Sequence, residues 1–419
     1  MAMSFINEDQ QIKNFIQKIS DKAAAGGYNI SDIVSEENGR TLQYVDIVME
    51  GGGVLGVALI GYIYALETAG IRFLSAGGTS AGSIAALLLT ACADRQEAKT
   101  EKLSEILFKL DLSEFIDGDA DAKDFSQFIG SGELDDHRIK LMWKGAQVLD
   151  NLFNDIGLNP GRSFFEWVDG HMKNFGTDTL EKLEDRIQRI PNLHNKITGS
   201  SLDKTNAELC IVAADIISET KVIFPKMAPM YWDDCRKTSP AHFVRASMSI
   251  PFFFHPMKID RLSEITDVRS RWKDLANFDN PPESAVFADG GVFSNFPIDV
   301  FHQEGVPDAP TFGVKLGAKK RRVNTIGNLF DYSMALFDSM RHCSDYDFLV
   351  KHPDYNRLIG YIDTSGHNWL NFKMTLEEKR VLFRKGVIAA YDFLEKFNWN
   401  EYKEIREKLA HSGHNGFLK

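Results

Sequence analysis

Between Val45 and Ala93 the chain reads VDIVMEGGGVLGVALIGYIYALETAGIRFLSAGGTSAGSIAALLLTACA, and one three-part phrase occurs in it twice. A short apolar run, Val45 to Met49, ends in Gly51, Gly52 and Gly53, and a helical pattern follows with Leu55, Leu59, Tyr62, Ile63 and Leu66 on one face. A second run, Ile71 to Ala76, leads into Gly78-Thr79-Ser80-Ala81-Gly82 and a helix rich in leucine and small residues. Strand, tight glycine turn and helix, repeated, predict a three-layer α/β/α sandwich built on a central, mostly parallel sheet.

The rest of the chain is organised around that segment. Residues 1–40 are polar, with Ile12, Phe15, Ile16 and Ile19 at helical spacing; they read as a helix packed on the main domain or as a partner-binding arm. The main domain spans 41–370. From about 100 to 200 the strand–helix rhythm gives way to helical sequence, broken at Leu158-Asn159-Pro160-Gly161, which predicts a helical insertion. That insertion is either a cap over the active face or part of the outer helical layer. Strand signals return at Leu209 to Ala214, Val222 to Phe224, Val286 to Ala288, Phe312 to Leu316 and Leu358 to Ile362. Pro251 closes a helical stretch and presents Phe252, Phe253 and Phe254, which cannot all face one core. Thr375-Leu376-Glu377-Glu378 is a capping box that opens the helix of a C-terminal segment, 371–419.

Charge and cysteine usage narrow the partners. A net charge of −11 over 419 residues argues against a general nucleic-acid binder, which needs a basic face. Cys92, Cys210, Cys235 and Cys343 are scattered, show no metal-type spacing and suit a reducing compartment. The opening MAMSFINEDQQ has no basic region followed by an apolar one, so no Sec-type signal is expected. No stretch reaches the roughly 18 apolar residues of a membrane span. The expectation is a cytoplasmic protein that meets a membrane only at its surface, with export by a signal-free route as the alternative.

Gly78-Thr79-Ser80-Ala81-Gly82 has the form Gly-x-Ser-x-Gly. A serine hydroxyl attacks an ester only when a base takes its proton and donors stabilise the oxyanion. A sharp strand-to-helix elbow holds such a serine proud of the sheet, and the positions two before and two after it must then be bare. The plain alternative is a tight turn with an idle serine. Gly51 to Gly56 also fits Gly-x-Gly-x-x-Gly, but the end of the next strand, Ser75-Ala76-Gly77-Gly78, lacks the carboxylate that a dinucleotide ribose needs. A Walker-type loop is excluded because Val57-Ala58, not Lys-Ser/Thr, follows Gly56. The remaining use for the bare turn is to offer backbone N–H groups to an oxyanion. Among the bases, His255 and His302 sit at no clean strand end. Asp289 does, with Gly290 and Gly291 leaving room for another segment to approach. A carboxylate in a dry pocket has a raised pKa and can take a serine proton. The residues alone leave the Ser80–Asp289 pairing open.

In order and spacing these segments resemble the patatin-like phospholipases: a glycine-rich turn (Gly51 to Gly56), Gly-x-Ser-x-Gly (Gly78 to Gly82) and Asp-Gly-Gly (Asp289 to Gly291). The resemblance extends to Leu158–Trp167, Val244–Phe254 and Asn295-Phe296-Pro297, and so touches about residues 45–300. It implies a lipid acyl hydrolase with Ser80 as nucleophile, Asp289 as base and backbone N–H groups of Gly51, Gly52 and Gly53 as oxyanion hole. Gly56, Gly78, Gly82, Gly290 and Gly291 would support the turns. No metal or other cofactor is implied. A phospholipid membrane is the implied partner, and an activating protein or signal molecule is a further one. Leu141 to Ile156, the three phenylalanines and Lys319-Lys320-Arg321-Arg322 are candidate lipid contacts. Acyl transfer, neutral-lipid hydrolysis and a silent lipid-binding module are the rival readings. One departure stands out: the family often carries Arg or Lys before the last glycine of the first turn, and this chain has Leu55.

Overall fold

The computed structural model describes residues 6, 8–120, 122–124, 126, 156–202, 207–264, 267–317, 326–327 and 329–411. Leu141, Val148, Leu152 and Phe153 of the proposed insertion, the basic run 319–322 and the tail 412–419 lie outside the described residues.

Helix α1 (Gln10–Ala24) begins where the Asp9 carboxylate accepts from the N–H groups of Gln11 and Ile12, and it buries Ile12 and Ile19. Strands β1 (Ile33–Glu37) and β2 (Arg40–Met49) form a hairpin, and the last eight residues of β2 are buried. Helix α2 (Gly56–Thr68), strand β3 (Ile71–Thr79) and helix α3 (Ala81–Ala91) complete the repeated unit. Helix α2 is apolar nearly all round and α3 likewise, which fits helices sandwiched between a sheet and an outer layer. Helix α4 (Thr100–Lys109), strand β4 (Gly157–Asn159) and helices α5 (Arg162–Phe175) and α6 (Leu180–Gln188) follow. In the described parts of 100–200, α4 packs on α2 and α3, and α6 packs on α3, so they take the place of outer-layer helices.

The sheet is then extended by β5 (His194–Asn195), β6 (Leu209–Asp215) and β7 (Thr220–Phe224). After helix α7 (Ala241–Ser247) come β8 (Phe252–Phe254), β9 (Met257–Ile259), helix α8 (Val268–Ala276) and β10 (Ala285–Asp289). The C-terminal third supplies β11 (Thr311–Leu316), α9 (Leu329–Lys351), β12 (Ile359–Ile362), α10 (Leu376–Lys396) and α11 (Trp399–His411). The capping box forms as expected: the Thr375 hydroxyl accepts from the Glu378 N–H, and the Glu378 carboxylate accepts from the Thr375 N–H. Helix α10 lies along α2 and also touches α1, closing that layer.

Among the described residues, the main sheet has ten strands, and its centre runs β12-β11-β2-β3-β6 with every pair parallel. With helices on its faces this is the three-layer α/β/α sandwich, the antiparallel strands being confined to the margins. The carboxyl ends of β2 and β3 lie side by side, Met49 against Gly78, so both glycine turns emerge at one edge of the sheet.

Strand β10 is where the register matters most. It runs antiparallel to β6, pairing Asp289 with Ala213 and Phe287 with Asp215. Strand β7 occupies the other edge of β6 over Ile211 to Asp215. A strand has only two hydrogen-bonding edges, so β3 and β10 share one. Strand β3 ends there with Thr79 against Val212, and β10 arrives from the opposite direction with Asp289 against Ala213. The two strands meet head to head, and the residues at the junction are Ser80 and Asp289.

Candidate active site

Ser80 sits at the turn from β3 into α3 with φ 51° and ψ −120°, a backbone conformation that side-chain-bearing residues rarely adopt. What permits the turn is the bareness of its walls. A methyl group on Gly82 would lie 2.2 Å from the Met49 carbonyl oxygen, and one on Gly78 2.5 Å from the backbone of Gly82. A methyl on Gly56, at the head of α2, would rest 3.2 Å from the Ala81 methyl. Hydrogen bonds then fix the elbow: its N–H donates to the Ser247 hydroxyl at 2.8 Å, and the Ser83 hydroxyl donates to the Ser80 carbonyl at 2.6 Å. Helix α3 starts with no side-chain cap, and the Ser83 and Ile84 N–H groups donate to the Ser80 carbonyl.

Asp289 faces this elbow. Its side chain accepts the Gly291 N–H at 2.8 Å and lies near enough to Ser80 for the serine to lower its pKa, and both Ser80 and Asp289 are 3% exposed. Burial lifts the Asp289 carboxyl above its ordinary range, partly offset by the Arg341 guanidinium, by Ser80 and by the Gly291 N–H. Gly290 is pressed onto β6, where a methyl would lie 2.1 Å from the Val212 carbonyl. The Asp289 N–H donates to Ser249 at 2.8 Å. Ser249 is held in turn by Arg245, whose guanidinium also reaches Pro160 and His255 and so ties the 158–161 turn to the 249–255 segment. Desolvation brings Arg245 down to about 10, which leaves it charged at neutral pH.

The first glycine turn is built differently. The Gly51 N–H donates to the Asn295 carbonyl at 3.0 Å, so it is already committed. Among the described residues, the N–H groups of Gly52 and Gly53 meet no acceptor. The Gly51 carbonyl accepts from Asn295 Nδ2 at 3.1 Å and from Arg341 Nη2 at 2.9 Å, and Arg341 also reaches Asn295 Oδ1 at 3.1 Å. Beyond the glycines, the Val54 N–H donates to the Trp369 carbonyl, and the Arg341 guanidinium lies 5.1 Å from the Trp369 ring. Helix α9 is anchored over the turn by Asp345, which accepts from the Ser294 hydroxyl and from the Phe296 N–H, each at 2.7 Å. The edge thus gathers one hydroxyl, one carboxylate and two open backbone donors, the set that acyl transfer through a serine requires.

The two histidines weighed as bases lie elsewhere. His302 hydrogen-bonds the Tyr355 hydroxyl at 2.7 Å in an aromatic cluster with Phe348 and His352, and His255 contributes its carbonyl to Arg245. The phenylalanine triplet divides as its crowding demands: Phe253 and Phe254 are buried against Phe372, while Phe252 is 45% exposed. Leu55 is buried, and the cation beside the first turn is Arg341, 290 positions from Gly51. Asn295 is marked in the sequence only as part of the Asn295-Phe296-Pro297 resemblance, with no role assigned, and Arg341, Asp345 and Trp369 are not marked at all, because none of the three belongs to a local pattern. Among the described residues, no helix is long and apolar enough to cross a membrane.

A protein of Bacillus subtilis (strain 168) known as uncharacterized protein YqhO is 26% identical over 360 residues, covering 85% of this chain and all of that one. The crystal structure of VipD from Legionella pneumophila aligns over 87% of this chain and 70% of its own at 16% identity and a TM-score of 0.41. The family model for patatin-like phospholipase matches residues 47–302, a stretch that opens inside β2 and runs past both glycine turns and the Asp289 loop. With more than half of its length matched, the chain belongs to the patatin-like phospholipases, a family of lipid acyl hydrolases.

Proposed function

We propose that the protein is a Ser–Asp acyl hydrolase that cleaves fatty-acyl esters of phospholipids or lysophospholipids through an acyl-enzyme. The observation that carries this reading is the head-to-head meeting of β3 and β10 on one edge of β6, which sets Ser80 beside the buried Asp289 carboxyl. In the forward step Asp289 takes the Ser80 proton as Oγ attacks the ester carbonyl carbon, and the oxyanion that forms is met by the Gly52 and Gly53 N–H groups. The C–O bond to the lipid alcohol then breaks, and Asp289 passes the proton to the departing oxygen. Water next gives a proton to Asp289 as it attacks the acyl-enzyme. The fatty acid leaves, and the proton returns to Ser80 Oγ. The raised pKa of Asp289 favours this shuttling over that of a solvated carboxylate.

In this reading the bilayer lies against helix α9. Tyr332, Leu336, Met340, Tyr346 and Val350 are exposed and share one face of it with the exposed Ser339 and Asp347, since 332 and 350 are five full turns apart. Arg341 and Asp345 lie on the opposite face and reach the site. A family that acts on lipid gives such a face a use.

The reading is tested with phospholipid liposomes and a serine-reactive fluorophosphonate. Wild-type protein should release fatty acid and become labelled; Ser80→Ala should do neither while unfolding at the same temperature, a rate loss of about 10⁴-fold or more. Undiminished release by the Ser80→Ala variant would remove Ser80 as nucleophile.

A further inference from the structure

Besides the proposed dyad, one charged group enters the site from a part of the chain that no turn pattern marks. Arg341 is 9% exposed, on the inner face of α9. One of its terminal nitrogens bridges the Gly51 carbonyl and Asn295 Oδ1, and its aliphatic stem lies against Gly291, where a methyl would come within 3.2 Å of Cγ. It therefore touches both halves of the site: the turn that offers the open N–H groups and the loop that carries Asp289. We propose that Arg341 is the positioning residue of this site, locking the Gly51 carbonyl so that the Gly52 N–H faces the reacting carbonyl, and standing as the cation packed against the Asp289 loop. The inference rests on the acyl-hydrolase reading.

Peptide geometry explains the first role. A peptide plane is rigid, so the direction of the Gly51 carbonyl sets the direction of the Gly52 N–H that shares its plane. Glycines alone would let that plane rotate, since φ and ψ are nearly unrestricted there. Two donors on the Gly51 oxygen, from Asn295 and Arg341, remove that freedom, and Arg341 in turn holds Asn295 by its side-chain oxygen. The second role follows from burial. A carboxylate in a dry site is costly unless a cation lies close, and Arg341 is the cation whose field lowers the Asp289 pKa. The other charged groups packed nearby are already engaged. Asp338 lies 3.6 Å from the other terminal nitrogen of Arg341, Asp345 is bound to Ser294 and Phe296, and Lys315 pairs with Glu50 at 2.8 Å. The buried Leu55 offers no charge to the same turn.

The test is a pH–rate profile of kcat/KM on a soluble 4-nitrophenyl acyl ester, which removes the membrane from the measurement. The base must be unprotonated, so the acidic limb of wild-type protein follows the Asp289 pKa. Arg341→Met should lower kcat/KM at pH 7 by about 10²-fold and move that limb up by about one pH unit, so that part of the loss is recovered at higher pH. Arg341→Lys keeps the charge but not the fork; it should leave the limb within about half a unit while losing about tenfold in rate. A merely structural arginine would lower the rate without moving the limb, and that result overturns the proposal, as does a Met variant with wild-type rate and limb. Should Arg341→Met fail to fold, Arg341→Gln against Arg341→Lys carries the same comparison of limbs. Turnover that survives Ser80→Ala would instead count against the hydrolase reading, whatever Arg341 does.

Discussion

The two glycine turns leave adjacent parallel strands at the same edge, yet they are stabilised in opposite ways. The elbow at Ser80 is held mainly from within: its walls are Gly78 and Gly82, its carbonyl is fixed by Ser83, the strained residue is Ser80 itself, and one tie comes from outside, its N–H on the Ser247 hydroxyl. The turn at Gly51 to Gly53 has no side chains of its own and is held from without, by Asn295, Arg341 and Trp369. A turn that presents a side chain can be specified by its immediate neighbours. A turn that presents backbone N–H groups must borrow its rigidity, because the residues that leave room for a substrate are those least able to fix their own conformation.

The sharpest way to break this contrast is to fill the elbow. In Gly82→Ala the new methyl meets the Met49 carbonyl oxygen at 2.2 Å and its carbon at 2.7 Å, and these are backbone atoms of a buried central strand with nowhere to move. Either α3 lifts from the sheet or β2 shifts, and overpacking of this kind costs about 3 kcal/mol or more. The variant should unfold at clearly lower denaturant and should no longer label at Ser80. A Gly82→Ala protein of unchanged stability and labelling would mean that the elbow is looser than its geometry states.

This division also decides what could be read from the sequence. The sandwich, the elbow and the strand ending at Asp289 were legible because each is written in consecutive residues: an apolar run, a turn without side chains, a helical period. The Thr375 capping box was legible for the same reason. The sense of β10 and its head-on meeting with β3 were not, since nothing in Ala285 to Asp289 records which edge of β6 it takes. Nor could the three amides of the first turn be told apart. The commitment of the Gly51 N–H depends on the Asn295 carbonyl, which lies near it only after β6, β10 and the Asp289 loop are in place. Arg341 is hidden more deeply still: it is a single arginine on a long helix of mixed pattern, and only its partners across the fold mark it.

A subtler probe relieves the elbow instead of filling it. Ser80 occupies φ 51° and ψ −120°, where a Cβ is a liability and glycine is at ease. Ser80→Gly should therefore be more stable than Ser80→Ala by about 1 kcal/mol, because the alanine keeps the strain and the glycine does not. Both should be inactive in fatty-acid release. Equal thermal midpoints for the two would show that the elbow carries no strain worth relieving.

The smallest effect is expected where the first turn looks most fragile. Gly52 has φ −173° and ψ 30°, so it does not use the positive-φ range in which glycine is favoured. A methyl there would point at Leu316 Cδ1, 2.5 Å away, the movable end of a side chain that is only partly buried. A methyl on Gly51, by contrast, would meet Asn295 Oδ1 at 2.4 Å and approach the Ser80 side chain at 3.2 Å. Gly52→Ala keeps the N–H, aims its methyl away from Ser80 and loses some freedom in the unfolded chain. Stability should change by less than about 0.5 kcal/mol, since that entropic gain offsets the displacement of Leu316. Hydrolysis of the soluble ester should stay within a few-fold of wild type, because the donor and the clamp on the Gly51 carbonyl are both intact. A folded Gly52→Ala variant with a large loss of kcat would show that the turn's conformation in the working enzyme needs glycine at 52 after all, and that the clamp from Arg341 and Asn295 does not by itself fix the donor.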